Sequence, residues 1–332
     1  MNLKNKKILV IGGAGFIGSH IVRALLSKGA TIAIYDDFSS GTLDNLTGIE
    51  KDIEIIRGNI LDFDKLDSAV RNKDIVSHQA AHLEIVASVK DPTDDLKNNT
   101  IGSLNVLEAI RKNEVEKLII ASSACVYGQA QYSPQDEAHP TKPNWEYGVS
   151  KLAVEKYSDI FVNRYGIDIK NLRYSIVYGP GEWYGRVLTL FLKRTMEGKP
   201  LIIFGDGKQE RDFIFVEDLA KLHNKLIEQE VEKGEVFNVS TGIGTSVTQL
   251  ASLVKKVTGK DLEIIYEDVK EGETSRYFDR VRLPSELKSM VLDNKKAKSA
   301  FEWSPQVFLE EGLKREYDWL LKNKDRWKKI SI

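Results

Sequence analysis

One cysteine, Cys125, is all that the 332 residues contain, so no disulfide can form within the chain and a stapled secreted scaffold is excluded. That usage suits a reducing compartment, and the cytoplasm is the expected location. An excess of one charge is also missing: 48 Lys and Arg against 49 Asp and Glu leave a net charge of −1. With no overall field to hold nucleic acid or a membrane surface, a small-molecule partner is expected. No apolar run reaches the ~20 residues that cross a bilayer. The start "MNLKNKKILVIGGAGFIG" is too short in its apolar part and too broken by glycine for a signal sequence. Internal repeats and low-complexity tracts are absent, which excludes a solenoid or a linker-joined array. His78 and His82 invite a metal, but no third ligand stands at a suitable spacing, so core packing or a hydrogen bond beside a cofactor explains them better. Cys125 reads in the same way, as a small residue buried behind a strand end.

What the chain does have is alternation. Strand-like runs at Ile8–Ile11, Thr31–Tyr35, Ile53–Ile56, Ile75–His78 and Leu118–Ala121 are separated by helical patterns such as "IVRALLSKG" and "NTIGSLNVLEAIRKN". Short buried strands alternating with helices form βαβ units, and these stack into a doubly wound parallel sheet in an α/β fold. A chain of this length has material for two cores. After about Gly179 the elements grow less regular, with "PLIIFGDG", "RDFIFVEDLA" and "EVFNVST" as short strand signals. The expected organisation is a first domain over 1–178 and a smaller α/β lobe over 179–332, with a segment near 212–240 open to returning to the first.

Gly12, Gly15 and Gly18 lie between the first strand and the first helix. The first permits a turn that no side chain would fit, the second lets backbone N–H groups approach a pyrophosphate, and the third lets the helix pack closely on the sheet. The helix N-terminus then presents unpaired N–H groups and a positive dipole end to an anion. Asp36 follows the second strand, where an acid accepts hydrogen bonds from an adenosine ribose diol and repels a 2′-phosphate, so NAD is expected rather than NADP. Capping of a turn by Asp36 or Asp37 is the alternative reading of the same residues.

Later, "SSACVYG" closes the fifth strand with Ser122 and Ser123, and "YGVSK" sets Tyr147 four residues before Lys151. Positions i and i+4 share a helix face, so phenol and ammonium can enter one pocket. A nearby cation lowers a tyrosine pKa from its usual value of about 10 by roughly 1–3 units. Tyr147 is then a candidate general base near neutral pH, with Ser123 bonded to the reacting oxygen.

Taken together, "GGAGFIGSH", "YDDFSSG", "RGNI", "HQAA", "SSACVYG", "YGVSK", "LRYSIVYGPG", "GDGKQERDFIFVEDLA" and "FEWSPQVFLEEGL" resemble the extended short-chain dehydrogenase/reductase family. Within it, the likeness is to the NAD-dependent nucleotide-sugar epimerases and dehydratases, over nearly the whole chain. The resemblance implies a Rossmann domain whose cofactor contacts include Phe16 and Ile17 beside the glycines, and Asp36, Asp37, Phe38 and Ser39 after the second strand. Asn59 and Ile60 would flank the adenine, Gln79, Ala80 and Ala81 would line the cofactor path, and Asn99 and Ser175 would lie on the nicotinamide side. Lys151 would also bond the nicotinamide ribose. For the nucleotide sugar it implies Ser123, Tyr147, Phe204 beside the base, and Arg211 on the diphosphate. A late phosphate-binding arginine is also implied, for which Arg276, Arg280 and Arg282 all qualify and Arg276 is taken. A homodimer built on the helices around Asn99–Arg111 and Tyr147–Asn163 is a further implication.

Relatives that eliminate water carry an Asp-Glu pair just after the catalytic Ser or Thr, and decarboxylating relatives usually carry a Glu there. Here the positions hold Ala124 and Cys125. Without a carboxyl group to drive elimination, the expected reaction takes a hydrogen from the sugar and returns it to the opposite face: epimerisation at C4 through a 4-keto intermediate. The alternatives are a dehydrogenase, decarboxylase or dehydratase of the same family, and, from another class, a dinucleotide-sensing regulator. Some departures bear on the sugar: Ile176 stands where galactose epimerases have Asn, Arg186 where many relatives have Asn, and Leu83 where some bacterial epimerases have Lys.

Overall fold

A computed structural model of the chain describes residues 3–83, 85–182, 185–277, 281–282 and 286–327. Six strands come first: β1 (Lys7–Ile11), β2 (Thr31–Asp36), β3 (Ile53–Arg57), β4 (Ile75–His78), β5 (Lys117–Ser123) and β6 (Asp168–Tyr174). The helices between them are α1 (Phe16–Leu26), α2 (Phe63–Val70), α3 (Ile85–Lys90), α4 (Pro92–Asp95), α5 (Gly102–Lys112) and α6 (Glu146–Tyr165), with a π-helical turn at Leu96–Ile101. Beyond them lie β7 (Ile176–Tyr178), α7 (Val187–Met196), β8 (Leu201–Phe204), β9 (Glu210–Arg211), β10 (Phe213–Phe215), α8 (Val216–Glu228), β11 (Val236–Val239), β12 (Thr245–Ser246), α9 (Val247–Thr258), β13 (Ile264–Glu267), β14 (Ser289–Met290), α10 (Lys295–Phe301), α11 (Leu309–Lys322) and α12 (Lys324–Trp327).

Seven strands form a parallel sheet in the order β11-β6-β5-β4-β1-β2-β3. Period-two alternation divides its side chains between two cores. Ile8, Val10, Ile32 and Ile34 point to the face covered by α1, α8 and α10, whereas Leu9, Ile11, Ala33 and Tyr35 point to the face covered by α2, α5 and α6. Chain order reverses between β1 and β4, which opens a crevice at their C-terminal ends, the usual ligand position in such sheets.

One strand was absent from the sequence reading, and a second takes up the return to the first lobe that the reading left open. β6, "DIKNLRY", carries three charged side chains and gave no apolar signal, yet it is a central strand. Its charges are buried in pairs: Lys170 donates to Asp168, and Arg173 meets Glu155 of α6 at 2.7 Å. β11, from "EVFNVST", lies beside β6 at the edge of the large sheet, with Phe237 and Val239 in the α1/α8 core. Ala297, Phe301 and Trp303 join that core as well, so the second half of the chain contributes heavily to the first lobe.

The smaller lobe has its own core, in which Leu188, Phe191 and Leu192 of α7 meet Leu201, Ile203, Phe213, Phe215, Leu250 and Val254. A fourth apolar cluster places Ala124, Cys125, Trp145 and Tyr147 against Leu287, Met290 and Leu292. That contact carries the start of α6 to the boundary between the lobes.

Candidate active site between the lobes

The glycine turn is built as its spacing suggests. Gly12 has φ +79°, and a Cβ there would lie 2.6 Å from the Ala80 nitrogen; a Cβ on Gly18 would lie 2.1 Å from the Gly12 carbonyl oxygen. These positions therefore reject any side chain. Gly15 caps α1 with no side-chain partner, which leaves the first-turn N–H groups facing the crevice. The crevice is lined by Gly12, Gly15, Asp36, Asp37, Ser39, Asn59, Ile60, Gln79, Ala80 and Ala81. Phe16, Ile17 and Gly18 form the adjoining first turn of α1, and Phe38 (φ +62°) sits under the Arg57 guanidinium at 5.6 Å.

Both acids after β2 act as turn caps. Asp36 accepts from the Ala14 and Phe38 N–H groups at 2.9 Å each, and burial raises its pKa. Asp37 accepts from the Ser39 N–H and from the Asn59 amide. Each carboxylate oxygen has further acceptor capacity, so capping and a ribose contact are compatible. A shelf of rejecting glycines, an uncapped helix N-terminus and an acid at the end of β2 together fit a dinucleotide.

A cleft of about 500 Å³ lies between the lobes, lined by Ser123, Ala124, Cys125, Tyr147, Ser175, Ile176, Arg186, Phe204 and Arg211 among others. Tyr147 and Lys151 extend from one face of α6, with the Lys151 ammonium 5.7 Å from the centre of the Tyr147 ring. Lys151 is buried and donates to the Ala121 carbonyl at 2.9 Å. Burial brings its pKa down to about 8, and the Asp95 carboxylate acts against that fall. Ser123 accepts from the Cys125 N–H at 3.1 Å, which fixes its oxygen and leaves its own proton to donate into the cleft. Ser175 has a buried hydroxyl with no hydrogen-bond partner among the described residues and faces the same space.

Asn99 is buried against the loop after β4. Its amide donates to the carbonyl of His82 and to Asp95, and its oxygen accepts from the His82 N–H. It clamps the loop after β4 that forms the crevice wall. His78 is buried and bonded to Ser103, and His82 is bonded to Asp94. Among the described residues no group of three or more His, Cys, Asp or Glu side chains could hold a metal.

The late arginines are placed differently from one another. Arg276 is exposed and does not line the cleft, because Ser275 and the Arg276 N–H bond Glu267 and turn that stretch outward. Arg282 does line it, and Arg280 lies outside the described residues. Glu286 sits between Arg211 (3.8 Å) and Arg282 (3.3 Å). The sequence reading missed this acid, although the "RLPSE" stretch contains it. A larger cavity of about 610 Å³ behind α1, beside α11 and α12, contains none of Ser123, Tyr147 or Lys151.

A sequence profile of the NAD dependent epimerase/dehydratase family matches residues 8–240. A UDP-glucose 4-epimerase from Mycolicibacterium smegmatis is 32% identical over 316 residues, spanning 92% of this chain and 96% of its own length. The crystal structure of Thermotoga maritima UDP-glucose 4-epimerase with UDP-glucose superimposes with a TM-score of 0.87 at 35% identity, covering 96% of this chain and 99% of that one. Bacillus cereus UDP-glucuronic acid 4-epimerase, solved with UDP-glucuronic acid and NAD, gives a TM-score of 0.86 at 31% identity, covering 95% and 99%. With a dinucleotide crevice, a Ser-Tyr-Lys set at the lobe boundary and these likenesses, the chain belongs to the NAD dependent epimerase/dehydratase family.

Proposed function

We propose that this protein is an NAD-dependent epimerase of a nucleotide diphosphate sugar that inverts C4, with Ser123, Tyr147 and Lys151 as its catalytic residues. NAD, when bound, supplies the redox chemistry by taking a hydrogen from the sugar carbon and giving it back. The Tyr147 phenolate removes the C4 hydroxyl proton and returns it after the ketone has turned over, while Ser123 donates a hydrogen bond to the same oxygen. The Lys151 ammonium stabilises the phenolate by its charge. Gly12, Gly15, Phe16, Ile17, Gly18, Asp36, Asp37, Phe38, Ser39, Asn59, Ile60, Gln79, Ala80, Ala81 and Ser175 would hold the cofactor, with Asn99 acting through the loop after β4. Arg211 and Arg282 would grip the diphosphate, where a guanidinium fork suits phosphate geometry, and Phe204 would sit beside the base. Tight hold on the diphosphate leaves the sugar free to rotate.

The observation that carries epimerisation over elimination is the chemistry of the cleft. Ala124 and Cys125 occupy the turn after Ser123, and the one carboxylate among its described lining residues, Glu286, is held by two arginines. Burial also pushes the Cys125 thiol up, away from acid/base work. The assignment of 1–178, with 212–240 returning, to the dinucleotide and of 179–332 mainly to the nucleotide sugar belongs to the same reading.

A homodimer through α5 and α6 is supported by exposed Val149, Tyr157 and Ile160 on α6 and Leu96 and Ile101 on the turn that leads into α5. Among the described residues no helix is long and apolar enough to cross a membrane. The buried lone thiol supports a reducing compartment such as the cytoplasm, which cell fractionation checks.

The experiment is incubation of the holoenzyme with UDP-glucose, UDP-galactose, UDP-N-acetylglucosamine, UDP-glucuronic acid and their GDP, CDP and dTDP counterparts, followed by proton NMR. A new anomeric signal for the C4 epimer is expected, without net NADH. Tyr147→Phe should abolish turnover and keep NAD. Net NADH, a released keto sugar or an active Tyr147→Phe enzyme would overturn the reading.

A further inference from the structure

Asp95 has no part in the proton and hydrogen transfers above, yet it is 3% exposed and lies within the hydrogen-bond network of the catalytic helix. One carboxylate oxygen accepts from the Ser150 hydroxyl at 2.5 Å, directly beside Lys151 on α6. The other accepts from the Asn99 amide at 2.7 Å, and Asn99 in turn holds both the N–H and the carbonyl of His82. Ala80, Ala81 and His82 form the wall of the cofactor crevice. A single acid therefore links the helix that carries Tyr147 and Lys151 to the loop against which a dinucleotide would lie.

Burial lowers the Lys151 pKa, and the field of this same acid opposes that fall. Among the described residues, the other ionisable groups facing Lys151 are Tyr147 on its own helix and His78 at the end of β4, whose charging burial opposes first and the Lys151 ammonium second. Glu155, one turn further along α6, is bound by Arg173 and by the Ser122 hydroxyl. We propose that Asp95 is a positioning residue for the proton transfer: through Ser150 and Asn99 it fixes α6 against the cofactor loop, and it is the buried counter-charge that keeps Lys151 an ammonium. This rests on Tyr147 and Lys151 being the acid/base dyad.

The separation of charge from hydrogen bonding makes it testable. Asp95→Asn keeps the size and an acceptor but removes the charge; Ser150→Ala keeps the charge and removes one hydrogen bond; Asp95→Glu keeps the charge on a longer arm. Each NAD-loaded variant is assayed for kcat from pH 6 to 10. Asp95→Asn is expected to move the alkaline limb to lower pH by about one unit, with at least a threefold lower kcat near pH 7.5. Ser150→Ala should lower kcat with the limb in place, and Asp95→Glu should restore the limb. If Asp95→Asn does not fold, Asp95→Ser removes the charge in its stead. A limb unmoved by charge removal, or moved as far by Ser150→Ala, overturns the proposal. Should Tyr147→Phe stay active, the dyad reading itself fails; should Tyr147→Phe be inactive while Asp95→Asn behaves as wild type, only the role of Asp95 fails.

Discussion

Replacing Lys151 by methionine removes the ammonium and keeps most of the side-chain volume. At the observed 5.7 Å from the Tyr147 ring centre, a unit charge in a medium of effective dielectric about 20 is worth about 3 kcal/mol to a phenolate. That energy corresponds to about two powers of ten in the phenolate fraction at a pH below its titration. Lys151→Met should therefore lower kcat about a hundredfold while the protein stays folded and loaded with NAD. The pH profile gives a second reading. Burial brings the wild-type Lys151 pKa from 10.5 down to about 8, so the ammonium is present below that value and is lost as pH rises through it. Wild-type kcat should fall above about pH 8, and that limb should vanish in Lys151→Met because no proton remains to be lost. Initial rates of epimer formation by NMR, with cofactor content from absorbance, measure both effects. A loss of less than threefold, or an alkaline limb that survives the substitution, would refute the electrostatic argument.

The two late arginines separate cleanly. Arg282→Gln should raise KM for the nucleotide sugar at least tenfold with a smaller change in kcat, since a diphosphate contact acts on ground and transition states alike. Arg276→Gln should leave both within twofold, and the opposite pattern would show that the exposed side chain turns inward with substrate. For the dimer, sedimentation velocity should give twice the chain mass, and Val149→Glu on the exposed face of α6 should shift it toward monomer. A wild-type monomer at micromolar concentration would remove the interface from consideration.

The first five strands and the glycine turn were legible in the residues themselves because they rest on local rules. Runs such as "KILVI" are buried on both faces, and Gly12 and Gly18 sit where no Cβ fits. Tyr147 and Lys151 were legible for the same reason, as an i, i+4 pair on one helix face. The strand "DIKNLRY" escaped notice because its charges are neutralised by partners elsewhere: Arg173 needs Glu155 and Tyr127, and apolar pattern carries no record of such pairs.

Long-range pairing decided the rest. The four residues of β11 have the same alternation whichever sheet they join, and only their register against β6 places them at the edge of the large one. Residues 276, 280 and 282 looked equivalent as arginines; the turn fixed by Glu267 sends Arg276 outward, while Glu286 holds Arg282 toward Arg211. Asp95 reads in the sequence as one more acid in "DPTDDLKNN", and it becomes a partner of α6 only when α4 packs beside Ser150. By itself the sequence determined the glycine turn, the first five strands and the placing of Tyr147 and Lys151 on one helix face, because backbone sterics and helix periodicity act over a few residues. Tertiary structure alone decided which charges meet, because the field of a buried charge depends on distance and burial rather than on chain order.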